Sequence, residues 1–195
     1  MRTHDDSKPF GKYDEWMRLF TAFVLTGIIG AVISVYLQER SWQHQRALTL
    51  CDDDKKAATD VANKIIDLMD RRLWTLRRFV EKLDQSGKVA SATDERKAYA
   101  EAVAEWNINL NKNRVLVGRY FGEEISDEFM NSVHSGGFGR LHDALNDILQ
   151  TPELDAQKVK DEKSAIDEFN PVVYFFDDKL LERIQKNATT GCAVK

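Results

Sequence analysis

Residues 19–37 read LFTAFVLTGIIGAVISVYL, nineteen consecutive positions without a charge. Wound as a helix rising about 1.5 Å per residue, the run is roughly 28 Å long, the thickness of a bilayer's hydrocarbon layer. Arg18 closes one end and Gln38-Glu39-Arg40 the other, while Trp16, Tyr36 and Trp42 stand where interfacial aromatics belong. A buried core helix of this length would ordinarily keep a polar face. A cleavable signal would have a shorter apolar stretch, then a small-x-small cleavage site and a change of pattern. Here Tyr36-Leu37-Gln38-Glu39-Arg40 follows and helical character continues. The expectation is a single-pass membrane protein with a transmembrane helix over residues 16–38, preceded by a mobile tail at 1–15 and bathed in membrane lipid.

Within the span, Ala22, Thr26, Gly30 and Ser34 recur every fourth residue, with Gly27 and Ala31 beside them. Small residues at this spacing let membrane helices approach closely, so self-association or packing on a partner membrane protein is expected. Orientation is undetermined by charge: Arg2, Lys8, Lys12 and Arg18 on one flank face Arg40, Arg46, Lys55 and Lys56 on the other. The two cysteines, Cys51 and Cys192, form no C-x-x-C pair. They read as unpaired, which leans the soluble part toward the cytoplasm, although the sequence does not decide whether they join.

The soluble remainder is long enough for one core. The chain holds only three prolines and ten glycines, which favours long helices over strands and turns. From Gln38 to Gln85 neither occurs, so the membrane helix is expected to run on, ending at Ser86-Gly87. Ala58, Ala62, Ile65, Met69, Arg72, Leu76, Phe79 and Leu83 advance in steps of four and three, an amphipathic stripe. A second stripe runs Tyr99, Val103, Trp106, Leu110, Asn113, Val117 and Tyr120, with Ser91 or Thr93 as its cap and Gly122 as its stop. Ile125, Phe129 and Val133 begin a third element that Ser135-Gly136-Gly137-Phe138-Gly139 interrupts, read as a flexible hinge. Leu141, Leu145, Ile148 and Leu149 resume the helical period. In the last region Val159, Ile166 and Phe169 precede Asn170-Pro171, read as a kink or restart after which Val172, Phe175, Phe176, Leu180 and Ile184 face the core. The fold class is all-α: an N-terminal single transmembrane helix continuing into an antiparallel helical bundle over 39–186, with a disordered tail at 187–195.

Polar residues interrupt both stripes. Folding the second helix back on the first places Arg72 near Glu105, and Arg77 and Arg78 near Glu101. An ion-pair network of Arg71, Arg72, Arg77 and Arg78 with Glu101 and Glu105 is therefore expected, setting register more than stability. Of the alternating Asn107, Asn109, Asn111 and Asn113, at least one must approach the core, and a buried asparagine commonly fixes register. Exposed arginines could instead meet an acidic partner or nucleic acid, but the acids stand ready to neutralise them and the net charge of -4 favours no nucleic-acid footprint.

No catalytic, cofactor or metal set can be placed by spacing. His4, His44, His134 and His142 include no His-x-x-x-His and no Glu-x-x-His. The Gly-rich stretch lacks the preceding strand of a phosphate loop. Cys192-Ala193-Val194-Lys195 ends atypically for a prenylation box. The expected function is a membrane-anchored interaction module, a scaffold or accessory subunit of a membrane complex. A membrane-tethered ligand-sensing bundle acting through a separate partner is the alternative; it resembles, in outline, the ligand domains of chemoreceptors, which carry a second span. A third reading is an enzyme or effector built on the Gly-rich stretch, His134, His142 and the asparagines. A polar internal site near Asn109, Asn113 and Arg72 would favour sensing over scaffolding.

Overall fold

The computed structural model describes the backbone at residues 10–151 and 153–190 and the side chains at 15–151 and 153–186. All regular structure among them is helical. Helix α1 spans Phe10–Ser86, and a 3-10 turn at Val89–Ala92 leads to α2, Thr93–Phe121. Next come α3 (Glu123–Glu128), a π-helical stretch (Phe129–Gly139) and α4 (Arg140–Gln150), followed by α5 (Ala156–Thr190). The expected tails at 1–15 and 187–195 fall largely outside the described residues.

The chain divides into two compact units, with the boundary between Leu50 and Cys51. In the first, every described side chain from residue 15 to 50 is exposed. Its apolar run makes α1 the one helix among the described residues long and apolar enough to cross a membrane. Thr21 and Thr26 turn their hydroxyls back onto the carbonyls of Met17 and Ala22, both at 2.7 Å, so these polar groups are satisfied within the helix.

The second unit has one continuous core. From α1 it takes Ala58, Ala62, Ile65, Met69, Leu76, Phe79 and Leu83, all buried. Gly87, at φ 61°, closes the helix by giving its N–H to the Leu83 carbonyl at 2.9 Å. Neither Ser91 nor Thr93 caps α2 with its side chain; the 3-10 turn supplies the entry instead, and Thr93 donates back to the Ala90 carbonyl. Contacts between α1 and α2 step down one helix as they step up the other: Lys64 meets Asn109 at 3.4 Å and Arg71 meets Glu105 at 2.7 Å. From α2, Tyr99, Ala102, Trp106, Asn113, Val117 and Phe121 are buried, while Val103, Leu110 and Tyr120 are half-buried at the edge of the stripe.

Two expectations are corrected here. Residues 135–139 are helical and form no hinge. The winding widens to a π-helix over eleven residues, and Gly137 and Phe138 are buried within it. A Cβ on Gly137 would clash with the Phe169 ring, so this glycine is present because α5 comes too close for any side chain. Likewise α5 runs through Pro171 without restarting. Pro171 and Asp167, whose carbonyl loses its helical donor, both lie on the exposed face, where water can take that carbonyl. Because the helix does not restart, its phase is carried from Val159, Ile166 and Phe169. Val173 and Phe176 point inward, and Val172 and Phe175 are exposed, the latter by 59%.

Cys51 takes part in a disulfide, which corrects its reading as an unpaired thiol. Cys192, the other cysteine of the chain, lies outside the described residues.

Gly137→Ala is expected to lower unfolding stability by about 1–3 kcal/mol, the usual cost of overpacking a tight contact. Combining it with Phe169→Leu should recover part of the loss. Urea unfolding of the detergent-solubilised chain followed by circular dichroism reads both, and additive losses in the double variant would show that the two residues are not coupled.

Candidate functional site

The buried stripe of α1 is interrupted by Arg72, 3% exposed. Its guanidinium carbon lies 4.6 Å from the Phe138 ring centroid and 5.4 Å from that of Trp106, a cation held between two π faces. Nη2 makes one long contact, 3.4 Å, to the Phe138 carbonyl, and Nε and Nη1 have no hydrogen-bond partner. No carboxylate among the described residues pairs with it. Burial pulls its pKa below the ordinary value, with the Tyr99 hydroxyl opposing, but a guanidinium stays protonated in proteins.

Two histidines flank this cation. Trp106 donates its Nε1–H to His134 Nδ1 at 3.1 Å. Indole nitrogen can only donate, so His134 Nδ1 accepts and the ring proton sits on Nε2. Tyr99 Oη lies 3.0 Å from His142 Nδ1. Burial, then the Arg72 charge, lowers the pKa of both histidines, with Asp143 opposing at His142, so both rings are neutral at pH 7. The Tyr99 hydroxyl is pushed up to about 12, chiefly by burial. It therefore stays protonated, with its oxygen drawn to the Arg72 cation and its hydrogen left for His142.

On α5, Glu162 is 4% exposed with Oε1 unpartnered, and burial raises its pKa to about 7 against the pull of Arg140. Asp177, 8% exposed with Oδ1 unpartnered, is raised to about 7 by burial and then by Asp70 and Asp178.

The structure brings together only part of the expected arginine–glutamate network. Arg71 pairs with Glu105 at 2.7 Å. Arg77 pairs with Asp167 of α5 at 3.0 Å, and Arg78 lies over the Trp74 ring at 5.3 Å, so neither reaches Glu101. Glu101 is exposed and joins no ion pair among the described residues, and Arg72 turns inward to the aromatic rings and away from Glu105. Asn113 is buried, at 2% exposure, and Asn109 half-buried, its amide donating to the Glu105 carbonyl at 2.8 Å. In the first unit, Gly27 and Gly30 have nothing near them, and Ala22, Thr26, Ala31 and Ser34 are exposed. Among the described residues no three His, Cys, Asp or Glu side chains gather as a metal site would require. The buried acids were legible: Glu162 sits between Val159 and Ile166 in steps of three and four, a polar break in an apolar stripe.

No protein-family model, curated protein or solved structure matches the chain. Fold and site together define an all-α protein with one candidate membrane-spanning helix and a buried arginine–histidine–aromatic cluster.

Arg72→Met is expected to leave stability unchanged or raise it by about 1–4 kcal/mol, as when other buried charges are exchanged for apolar groups of similar volume. It should also let the pKa values of His134 and His142 climb toward ordinary values, read by NMR titration of the imidazole protons. A large loss of stability would show that Arg72 is paired after all. The buried carboxyls give a second expectation. Their folded pKa values stand near 7, above ordinary values of 4.5 and 3.8, so the stability they confer is complete at low pH and is lost as pH rises toward and through 7. The histidines act oppositely, losing stability as pH falls below 6.5. Glu162→Gln with Asp177→Asn should therefore stabilise the protein at pH 8 and do little at pH 4; equal effects at both would contradict the assignment.

Proposed function

We propose that the chain is a membrane-tethered ligand-sensing module. Residues 16–38 cross the bilayer once, and the antiparallel helical bundle stands on its oxidising face and acts through a separate partner protein. The observation that carries the sensing reading is Arg72: a cation 3% exposed, with Nε and Nη1 unpartnered, set beside two neutral histidines. A scaffold core gains nothing from such a group, whereas a binding core uses it to set a positive field inside an apolar domain. The span is supported by the uncharged run and by its complete exposure in a chain that buries comparable side chains elsewhere. The side is supported by the disulfide at Cys51, since structural disulfides persist in oxidising compartments and not beside cytosolic thiols.

A second reading, the interaction module or accessory subunit, is favoured by exposed apolar side chains. Ile108 and Val115 lie two turns apart on α2, 81% and 69% exposed, and Tyr174 and Phe175 lie on α5.

Membranes from cells making the full chain test the anchor and its side. The protein should resist alkaline carbonate extraction, and deletion of residues 19–37 should release it. An impermeant maleimide should label Cys51 in intact cells only after reduction. Labelling that needs lysis but no reductant would put the bundle in the cytoplasm. Photo-crosslinking in those membranes separates the two readings: Arg72→Met should alter the crosslinks to neighbouring proteins if the bundle senses, and leave them unchanged if it only scaffolds.

A further inference from the structure

Between α2 and α4 runs a groove of about 380 Å³ whose floor includes Tyr99 and His142. Its size is at the lower end for small-molecule sites. The walls are largely apolar, formed by Phe79, Val103, Leu145 and Leu149 with two alanines. The polar lining is Arg96, Tyr99, His142, Asn107 and Asn146, with no carboxylate. By contrast, the neighbouring groove between α4 and α5 mixes Arg140 and Lys158 with Asp147, Asp161 and Glu162, and so neutralises itself.

Three features give the first groove one electrostatic sense. Arg96 is exposed at its edge and makes no ion pair among the described residues. His142 is neutral; assigning its Nδ1 as the acceptor from Tyr99, whose hydroxyl has no other acceptor among the described residues, leaves the ring proton on Nε2, which has no protein acceptor among them either. Behind them the Arg72 cation, lacking a carboxylate, polarises Tyr99, which lies 3.0 Å from His142. Each member of the series Arg72, Tyr99, His142 thus turns donor character toward the groove. Two acids oppose it, Glu162 at Tyr99 and Asp143 at both Tyr99 and His142, and neither lines the groove.

We propose that this groove binds a small organic anion, a monocarboxylate with an apolar body. The carboxylate is taken by Arg96 and the His142 Nε2–H, the body lies against Phe79, Val103 and Leu149, and the Asn107 and Asn146 amides border it. This deepens the sensing reading and rests on it for its biological meaning, but the binding itself does not.

The test is calorimetric titration of the full chain in lipid nanodiscs with a series of monocarboxylates, from acetate through hexanoate to phenylacetate, and with benzylamine as the isosteric cation. The apolar acids should bind more tightly than acetate, and benzylamine should not bind. Arg96→Ala should weaken binding about tenfold or more, the loss of one charge-assisted hydrogen bond. Ala104→Trp, which fills the groove from an exposed position, should abolish it, with circular dichroism showing each variant still folded. In NMR, His142 and not His134 should shift on adding phenylacetate. The proposal is overturned if no acid in the series binds, if benzylamine binds as well as phenylacetate, or if binding survives Ala104→Trp. Binding that meets every condition but leaves the membrane crosslinks unchanged would retire the sensing reading and keep the site.

Discussion

The widened winding at Phe129–Gly139 decides how the second unit packs. Phe129 and Phe138 stand nine positions apart. At 3.6 residues per turn that is two and a half turns, which would place them on opposite faces. A π-helix, with roughly 4.4 residues per turn, brings nine residues close to two whole turns and puts both rings on one face. They flank Trp106 there, with centroids 5.5 and 5.1 Å from it. Phe138 in turn meets Phe169 edge-on at 5.0 Å, a contact that the bare Gly137 backbone allows. Trp106 of α2, Phe169 of α5 and Arg72 of α1 converge on this stretch because its winding offers a face that a regular helix would split in two.

That convergence also makes the interior polar. The aromatic rings supply negative π faces to Arg72, and the indole N–H and phenol O–H each need a partner once buried. The histidines meet both needs with Nδ1, and burial, helped by the Arg72 charge, keeps the rings uncharged while they do so. The cluster is therefore self-consistent in its protons. Its unmet demand is the guanidinium's own Nε and Nη1 groups, which with Glu162 Oε1 and Asp177 Oδ1 on α5 are buried atoms left without a partner. Groups left short of partners in a core are where function is best sought.

Much of this was legible in the sequence. The α1 stripe from Ala58 to Leu83 is buried at each named position, because one period held over seven turns leaves little freedom. Two-helix reasoning put Arg72 opposite Glu105 with Arg71 in the same network, and it is Arg71 that makes the pair, one position from the expected register. It failed for Arg77, whose partner Asp167 lies ninety residues away on a helix that a hairpin argument does not contain. It failed again at residues 135–139, where three glycines look like a break if the period is assumed to stay at 3.6. The same assumption of interruption at Pro171 put Val172 and Phe175 on the buried face of α5 and missed Val173, while Phe176, Leu180 and Ile184 are buried as expected.

The buried charges place a constraint on the core that packing alone does not explain. Arg72 on α1 and the acids Glu162 and Asp177 on α5 are each buried, yet no ion pair joins them. Pairing them would be the simplest relief for all three, because removing opposite charges from water together costs less than removing them apart. Instead the carboxyls are relieved by holding protons up to about pH 7, and the guanidinium is relieved by rings. A core selected only for stability would pair these groups or replace them with apolar side chains. Keeping the cation unpaired maintains a positive field at the Tyr99–His142 pair that Glu162 and Asp143 oppose only in part. The separation of Arg72 from the buried acids is thus the structural condition under which His142 can act as a polarised neutral donor.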